Sequence, residues 1–226
     1  MNKNIIALLP MKKHSERVPN KNMRDFCGKP LFHRIMESLT QSKYIKEVCI
    51  NTDSKQISED AISHFDNVRI IERPEELMGD LVAMNDIIGH DISKFEGEHF
   101  LQTHSTNPLL TTDTIDCAIE TYFRNLSKFD SLFSVNRLQT RLYWQNGEPV
   151  NHNPQELLRT QDLPPLFEEN SNVYIFSRES FKNTGNRRIG LKPQMFEMNK
   201  LESIDIDEPE DFILAETLYK QLRNKL

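Results

Sequence analysis

Strand-length apolar runs alternating with helix-period segments constrain this chain more than any other feature of its sequence. Residues 5–9, 48–52, 68–71 and 100–102 each read as a strand, and helical patterns near 30–41, 54–65 and 80–92 separate them. Strands joined through helices run parallel, so the expected fold class is α/β, a mostly parallel sheet with helices on both faces. Pro30 stands where a helix can begin, and Leu31, Ile35, Ser38 and Leu39 then share one of its faces. Ile115, Ile119 and Tyr122 recur at helical spacing after Thr112. Residues 173–176 resume strand character, and the chain closes with an expected strand at 203–206 and a helix at about 208–223.

Between about 138 and 170 the alternation breaks. Asn146-Gly147, between Tyr143-Trp144 and Pro149-Val150, is a strong hairpin-turn signal. The segment reads as a small β-rich insertion in a single domain spanning 1–226, because 226 residues with 37% hydrophobic content supply one large core and hardly two. Leu142, Tyr143 and Trp144 have little core of their own there, which calls for a partner surface and predicts a homodimer. A net charge of -6 argues against a face built to grip nucleic acid. The apolar run 5–9 ends at Pro10 ahead of Lys12 and Lys13, too short for a membrane span or signal segment, so a cytoplasmic protein with no membrane partner is expected. Cys27, Cys49 and Cys117 have no metal or disulfide spacing and read as small hydrophobes.

Two segments could carry chemistry. The loop 10–25 leaves the first strand at its carboxyl end, where open α/β sheets bind ligands, and holds Lys12, Lys13, Arg17, Lys21 and Arg24 against Glu16 and Asp25. In an acidic protein this cluster suits a triphosphate, although basic surface loops are common and weigh about evenly against it. In Ser203-Ile204-Asp205-Ile206-Asp207 a period of two puts both aspartates on one side of a strand end, where they can share Mg²⁺ with substrate phosphates. Asp207-Glu208-Pro209-Glu210 also has the form of a helix N-cap, the better reading of Asp207 taken alone; Asp205 has no such role. Arg73-Pro74 and the turn at His104 lie on the same expected ligand edge, and Asn170 and Asn172 signify only a turn.

Taken in order, these segments resemble the acylneuraminate cytidylyltransferase family, which makes CMP-activated sialic acids and related sugars. The match runs through Lys12, Ser15, Pro19, Lys21 and Asn22, then Gly28-Lys29-Pro30-Leu31, Thr52-Asp53 and Arg73-Pro74-Glu75-Glu76-Leu77. It continues through His104-Ser105-Thr106-Asn107-Pro108-Leu109-Leu110, Asn170 to Tyr174, and Asp205-Ile206-Asp207. The resemblance implies a Rossmann-like core, a dimerisation insertion, CTP and Mg²⁺ as cosubstrates, and an acidic 2-keto sugar as acceptor. By the same resemblance Lys21, Asp205 and Asp207 are catalytic, and the two aspartates hold the metal. Lys12, Ser15, Lys21, Asn22, Arg73 and Thr106 bind the nucleotide. His104, Asn170 and Tyr174 face the acceptor, and Arg159 reaches a partner's site. The chain departs from the family pattern with Lys12 for an arginine, Lys13 and His14 for small residues, His104 for glutamine, Asn107 for serine and Leu110 for arginine. Two rival readings are a metal-dependent D-x-D glycosyltransferase and a catalytically silent nucleotide-binding protein of the same fold.

Overall fold

The computed structural model describes residues 3–79 and 81–223. Strands β1 (Ile5–Leu8), β2 (Ile45–Thr52), β3 (Val68–Glu72), β4 (His99–Gln102), β5 (Ser131–Leu138), β6 (Leu166–Ser177) and β7 (Pro193–Glu197) form one sheet in the order β3-β2-β1-β4-β6-β5-β7. Within it β6 runs antiparallel to both of its neighbours, and every other pairing is parallel. The helices are α1 (Leu31–Thr40), α2 (Lys55–His64), α3 (Met84–Ser93), α4 (Thr112–Asn125), α5 (Arg178–Asn183) and α6 (Pro209–Arg223).

Alternation along the strands decides which helix covers which face. Ala7, Val48, Ile50, Leu101, Val173 and Ile175 join Phe32 and Ile35 of α1, Ile57 and Ala61 of α2, and Ile115 and Ile119 of α4. Leu8, Cys49, Phe100, Tyr174 and Phe176 point the other way, against Ile88 and Ile92 of α3 and Phe181 of α5. Each large side chain so buried contributes about 1.5–3 kcal/mol. A third cluster of Val18, Phe26, Leu31, Ile206, Phe212 and Ala215 clamps the loop after β1 to α6 and to the segment before it. That clamp holds the two segments singled out for chemistry against each other.

The sheet extends further than the periodicity predicts. β5, β7 and the six-residue α5, which starts with a reciprocal capping box between Ser177 and Ser180, are additions. Residues 203–206 are not a strand: a turn ends at Ser203 and the chain then runs extended without a strand partner. Its backbone is anchored instead by Ile206 N–H to Thr106 O at 3.0 Å, by the Lys21 ammonium on Ile206 O at 2.6 Å, and by the side-chain amides of Asn172 on Ser203 O at 3.2 Å and Asn107 on Ile204 O at 3.5 Å. In the insertion, β5 and β6 take both ends. Between them lie a bridge of Tyr143 with Pro149 and a 3-10 turn at Thr160–Asp162, so the strand content expected there belongs to the long β5–β6 pair. The turn at Asn146-Gly147 forms, with Gly147 at φ 85 and Trp144 N–H on Glu148 O at 2.8 Å. α3 begins at Met84; the expected start near Asp80 lies outside the described residues.

Candidate active site

A cleft of about 520 Å³ opens at the carboxyl ends of β1, β3 and β4. Lys12, Ser15, Lys21 and Asn22 line it from the loop after β1, Arg73 from the end of β3, His104 and Thr106 from the end of β4, and Asp205 and Asp207 from the segment before α6. The loop is fixed from beneath by Val18 and from within by polar bonds. Asn22 donates Nδ2 to Lys12 O at 3.0 Å and accepts from Ser105 Oγ at 2.6 Å, and Lys13 N–H donates to Asp53 Oδ1 at 2.6 Å. Asn20 turns the chain at φ 54, a left-handed conformation that asparagine tolerates, and a short 3-10 turn then delivers Lys21.

Lys21 is the best-seated cation of the loop. Its ammonium donates to Ile206 O and lies 3.9 Å from Asp207 Oδ1. Burial pulls its pKa below the ordinary lysine value, and Asp207 and Asp205 pull the other way. Asp207 accepts from Arg17 Nη2 at 2.7 Å, while Arg17 Nη1 reaches Glu208 Oε1 at 3.0 Å. Asp205 sits deeper: burial lifts its carboxyl above the usual range, a hydrogen bond from Thr106 works against that, and Asp207 adds to it. Among the described residues its Oδ1 is buried with no hydrogen-bond partner. An unsatisfied, desolvated carboxylate oxygen is costly unless a cation completes it, so the pair suits a hard divalent ion.

The cap reading of Asp207 does not describe the helix start. Pro209 is the first helical residue, which makes Glu208 the cap position, and Asp211 Oδ2 accepts from Glu208 N–H at 2.8 Å and Asp207 N–H at 3.0 Å. The Asp207 side chain is thereby left to Arg17 and the cleft.

Three residues expected at the site do not line it. Tyr174 is fully buried in β6, its hydroxyl on Glu169 and on Ser171 Oγ. Asn170 knits the irregular β5–β6 pairing: its Oδ1 accepts from Ser134 Oγ at 2.5 Å and Asn172 N–H at 3.2 Å, and its Nδ2 donates to Asn136 Oδ1 at 3.0 Å. Arg159 is exposed in the insertion and forks onto Asp162 at 2.7 and 3.1 Å. Leu110, where the resembled family has arginine, is core and 1% exposed. The cleft also has Arg188, which the periodicity gives no reason to select; it lies in the loop between α5 and β7, bonds Gln102 and sits over the Tyr174 ring. Burial, with the charges of Arg188 and Lys21, pushes His104 down to about 4, so its imidazole is neutral at physiological pH. Away from the cleft, His33, Asp60 and His64 bring ligand atoms within 4.8 Å of one another. His33 Nε2 is hydrogen-bonded to Asp60, and His64 Nδ1 lies 2.8 Å from Asp60 O, so local bonds already account for the group.

Solved structures share this architecture. CMP:2-keto-3-deoxy-manno-octonic acid synthetase complexed with CTP superposes with a TM-score of 0.67 at 13% identity, over 97% of this chain and 99% of that one. A 4-diphosphocytidyl-2C-methyl-D-erythritol synthase from Anaerococcus prevotii gives 0.68 at 12%, over 97% of both. These likenesses are of the fold, and the class, that of the nucleotidyltransferases, rests on the sequence. Within it the chain belongs to the cytidylyltransferase family, whose model matches residues 6–226. Sequence relatives include a CMP-N,N'-diacetyllegionaminic acid synthase of Legionella pneumophila, 29% identical over 95% of both chains. A pseudaminic acid cytidylyltransferase of Campylobacter jejuni is 25% identical over 95% of this chain and 96% of its own. An N-acylneuraminate cytidylyltransferase of Escherichia coli is 26% identical over all of this chain and 54% of its own length.

Proposed function

We propose that the cleft transfers CMP from CTP to the anomeric hydroxyl of an acidic 2-keto sugar. The observation that carries this reading is the meeting of the Lys12 and Lys21 loop with the partnerless Asp205 oxygen in one cleft of a cytidylyltransferase. The anomeric hydroxyl gives up its proton to solvent as its oxygen attacks the α-phosphorus in line, the bond from that phosphorus to the β-bridging oxygen breaks, and pyrophosphate leaves with the electron pair. Lys12, Ser15, Lys21 and Asn22 hold the triphosphate, Arg73 and Thr106 frame the nucleoside end, and Lys21 neutralises charge that moves toward the leaving group. Asp205 and Asp207 would hold Mg²⁺, which when bound supplies further charge neutralisation to the phosphates. Arg17, now on Asp207 and Glu208, is free to turn to a phosphate when an ion occupies the pair.

The relatives' printed activities on legionaminic, pseudaminic and N-acylneuraminic acids support an acceptor of that class. A homodimer in the cytoplasm belongs to the same reading. Tyr143 and Trp144 are 55% and 62% exposed in the insertion, and among the described residues no helix is long and apolar enough to cross a membrane. A role for Arg159 in a partner's cleft requires its fork on Asp162 to open.

Pyrophosphate release with each nucleoside triphosphate, Mg²⁺ and a panel of sugar acids tests the proposal. The expected result is release that needs both CTP and a sugar acid, with CTP preferred over UTP at least roughly tenfold, a discrimination of about 1.4 kcal/mol that one or two base-edge hydrogen bonds supply. Equal use of CTP and UTP overturns it.

A further inference from the structure

We infer that Arg188 and His104 form the subsite that takes the acceptor's carboxylate, an assignment that rests on the CMP-transfer reading of the cleft. Three other arginines, Arg34, Arg73 and Arg178, are each held by several acceptors, backbone carbonyls among them. Arg34 donates to the carbonyls of Phe26 and Cys27, Arg73 to those of Met11 and Asn51, and Arg178 to those of Ile92, Phe95 and Gly97. Arg188 differs. Among the described residues its guanidinium makes one hydrogen bond, Nη1 to Gln102 Oε1 at 2.7 Å, has no carboxylate within ion-pair distance, and has its Cζ over the Tyr174 ring, 3.8 Å from the centroid. It is half-buried on the cleft wall with four N–H donors to spare. A desolvated guanidinium so poorly partnered is unfavourable in the free protein and favours an anion that completes it.

Gln102 extends the device to His104. Because the Gln102 Oε1 is taken by Arg188, its Nε2 group must donate, and it does so to Thr103 O at 2.9 Å and His104 Nε2 at 3.1 Å. His104 Nε2 therefore accepts, and the ring proton sits on Nδ1. A fixed neutral N–H and a rigid guanidinium fork thus share one wall of the cleft. The fork matches the two coplanar oxygens of a carboxylate, a geometry a lysine cannot reproduce.

Sheet order separates this wall from the triphosphate. The phosphate loop follows β1, and Arg188 is seated on Tyr174 of β6, two strands further along, a displacement of about 10 Å. Arg73 lies in the opposite direction, beyond β2. An acceptor placed beside the α-phosphate on the β4–β6 side brings its carboxylate to Arg188.

The test uses the sugar acid that the wild-type protein turns over best, its methyl ester, and the variants Arg188→Ala, Arg188→Lys and Gln102→Glu, each checked for an unchanged melting temperature. Gln102→Glu keeps the size of the side chain and gives Arg188 a carboxylate inside the protein. The expected result is a rise of roughly 30-fold or more in KM for the sugar acid in Arg188→Ala and Gln102→Glu, with KM for CTP within about twofold of wild type. Wild type should prefer the acid to its ester and Arg188→Ala should not, with Arg188→Lys between them. Should one variant fail to fold, the others carry the comparison. An unchanged KM for the acid, or an equal rise in KM for CTP, overturns the subsite while leaving the CMP-transfer reading intact. No turnover of any sugar acid by wild type removes both.

Discussion

The two ends of the cleft are each marked by an arginine oriented by a buried amide on the same face of the sheet, and the two arginines are held in opposite ways. At one end Asn51 of β2 accepts Arg73 Nε at 2.7 Å, the carbonyls of Asn51 and Met11 take Nη2 at 3.0 and 3.3 Å, and Asp91 stands behind, accepting from Asn51 Nδ2 at 2.6 Å. At the other end Gln102 of β4 gives Arg188 a single acceptor. Arg73 is thus a structural strut that also lines the cleft, whereas Arg188 lines it with most of its donors unused. A cationic side chain at a binding cleft is informative in proportion to the partners it lacks.

The largest expected effect separates the two arginines by stability. Arg73→Ala leaves the Asn51 and Met11 carbonyls buried without their donor and should cost about 2–4 kcal/mol by urea denaturation, while Arg188→Ala should cost less than about 1.5 kcal/mol. Equal costs would break the comparison. Next in size is a difference between the acidic groups near the other end of the cleft. Asp211→Ala removes the acceptor at the start of α6 and should cost about 0.5–2 kcal/mol; Asp207→Asn should leave the melting temperature within about 2 °C and lose most turnover. A stability loss in Asp207→Asn as large as that in Asp211→Ala would restore the cap reading.

A smaller effect concerns the pH behaviour of the Arg73 end. Burial pushes Asp91 up to about 6, against hydrogen bonds from Asn51 and His90 that work the other way. Because its pKa is higher folded than unfolded, the folded protein binds the extra proton between about pH 4 and 6. Its contribution to stability is full below that window and lost as pH rises through it. Asp91→Asn should flatten that part of the stability profile measured by thermal melts, and an unchanged slope would show that Asp91 titrates normally.

Much of this architecture was legible in the sequence, and the parts that were not have physical reasons. β1 to β4 announced themselves because parallel strands buried on both faces are short apolar runs. β5 and β7 hide because SLFSVNRL and PQMFE mix polar residues into the last two strands of the sheet, of which β7 is the open edge. The period of two at 203–207 was real: Ile206 is fully buried and the aspartates on either side line the cleft. No strand lies beside it, so alternation alone overstated its pairing. Asp207 imitated a cap because Pro209 follows two residues later, yet Pro at the first helical position moves the cap to Glu208. Arg188 was invisible because it follows the exposed Arg187 in a loop that reads as basic surface. The available signal was indirect: Gln102 and Tyr174 are polar-tipped residues on an inward face of β4 and β6, and buried polar groups need a partner.

Asp205, whose Oδ1 is buried without a partner among the described residues, is the group on which CMP transfer in this cleft most depends. Its direct test is pyrophosphate release from CTP and a sugar acid at saturating Mg²⁺, with Asp205→Asn beside wild type and melting temperatures measured on both. The variant should fold as wild type does and release pyrophosphate at least about 100-fold more slowly, a loss of roughly 2.7 kcal/mol of transition-state stabilisation. Wild-type turnover in Asp205→Asn would contradict that dependence.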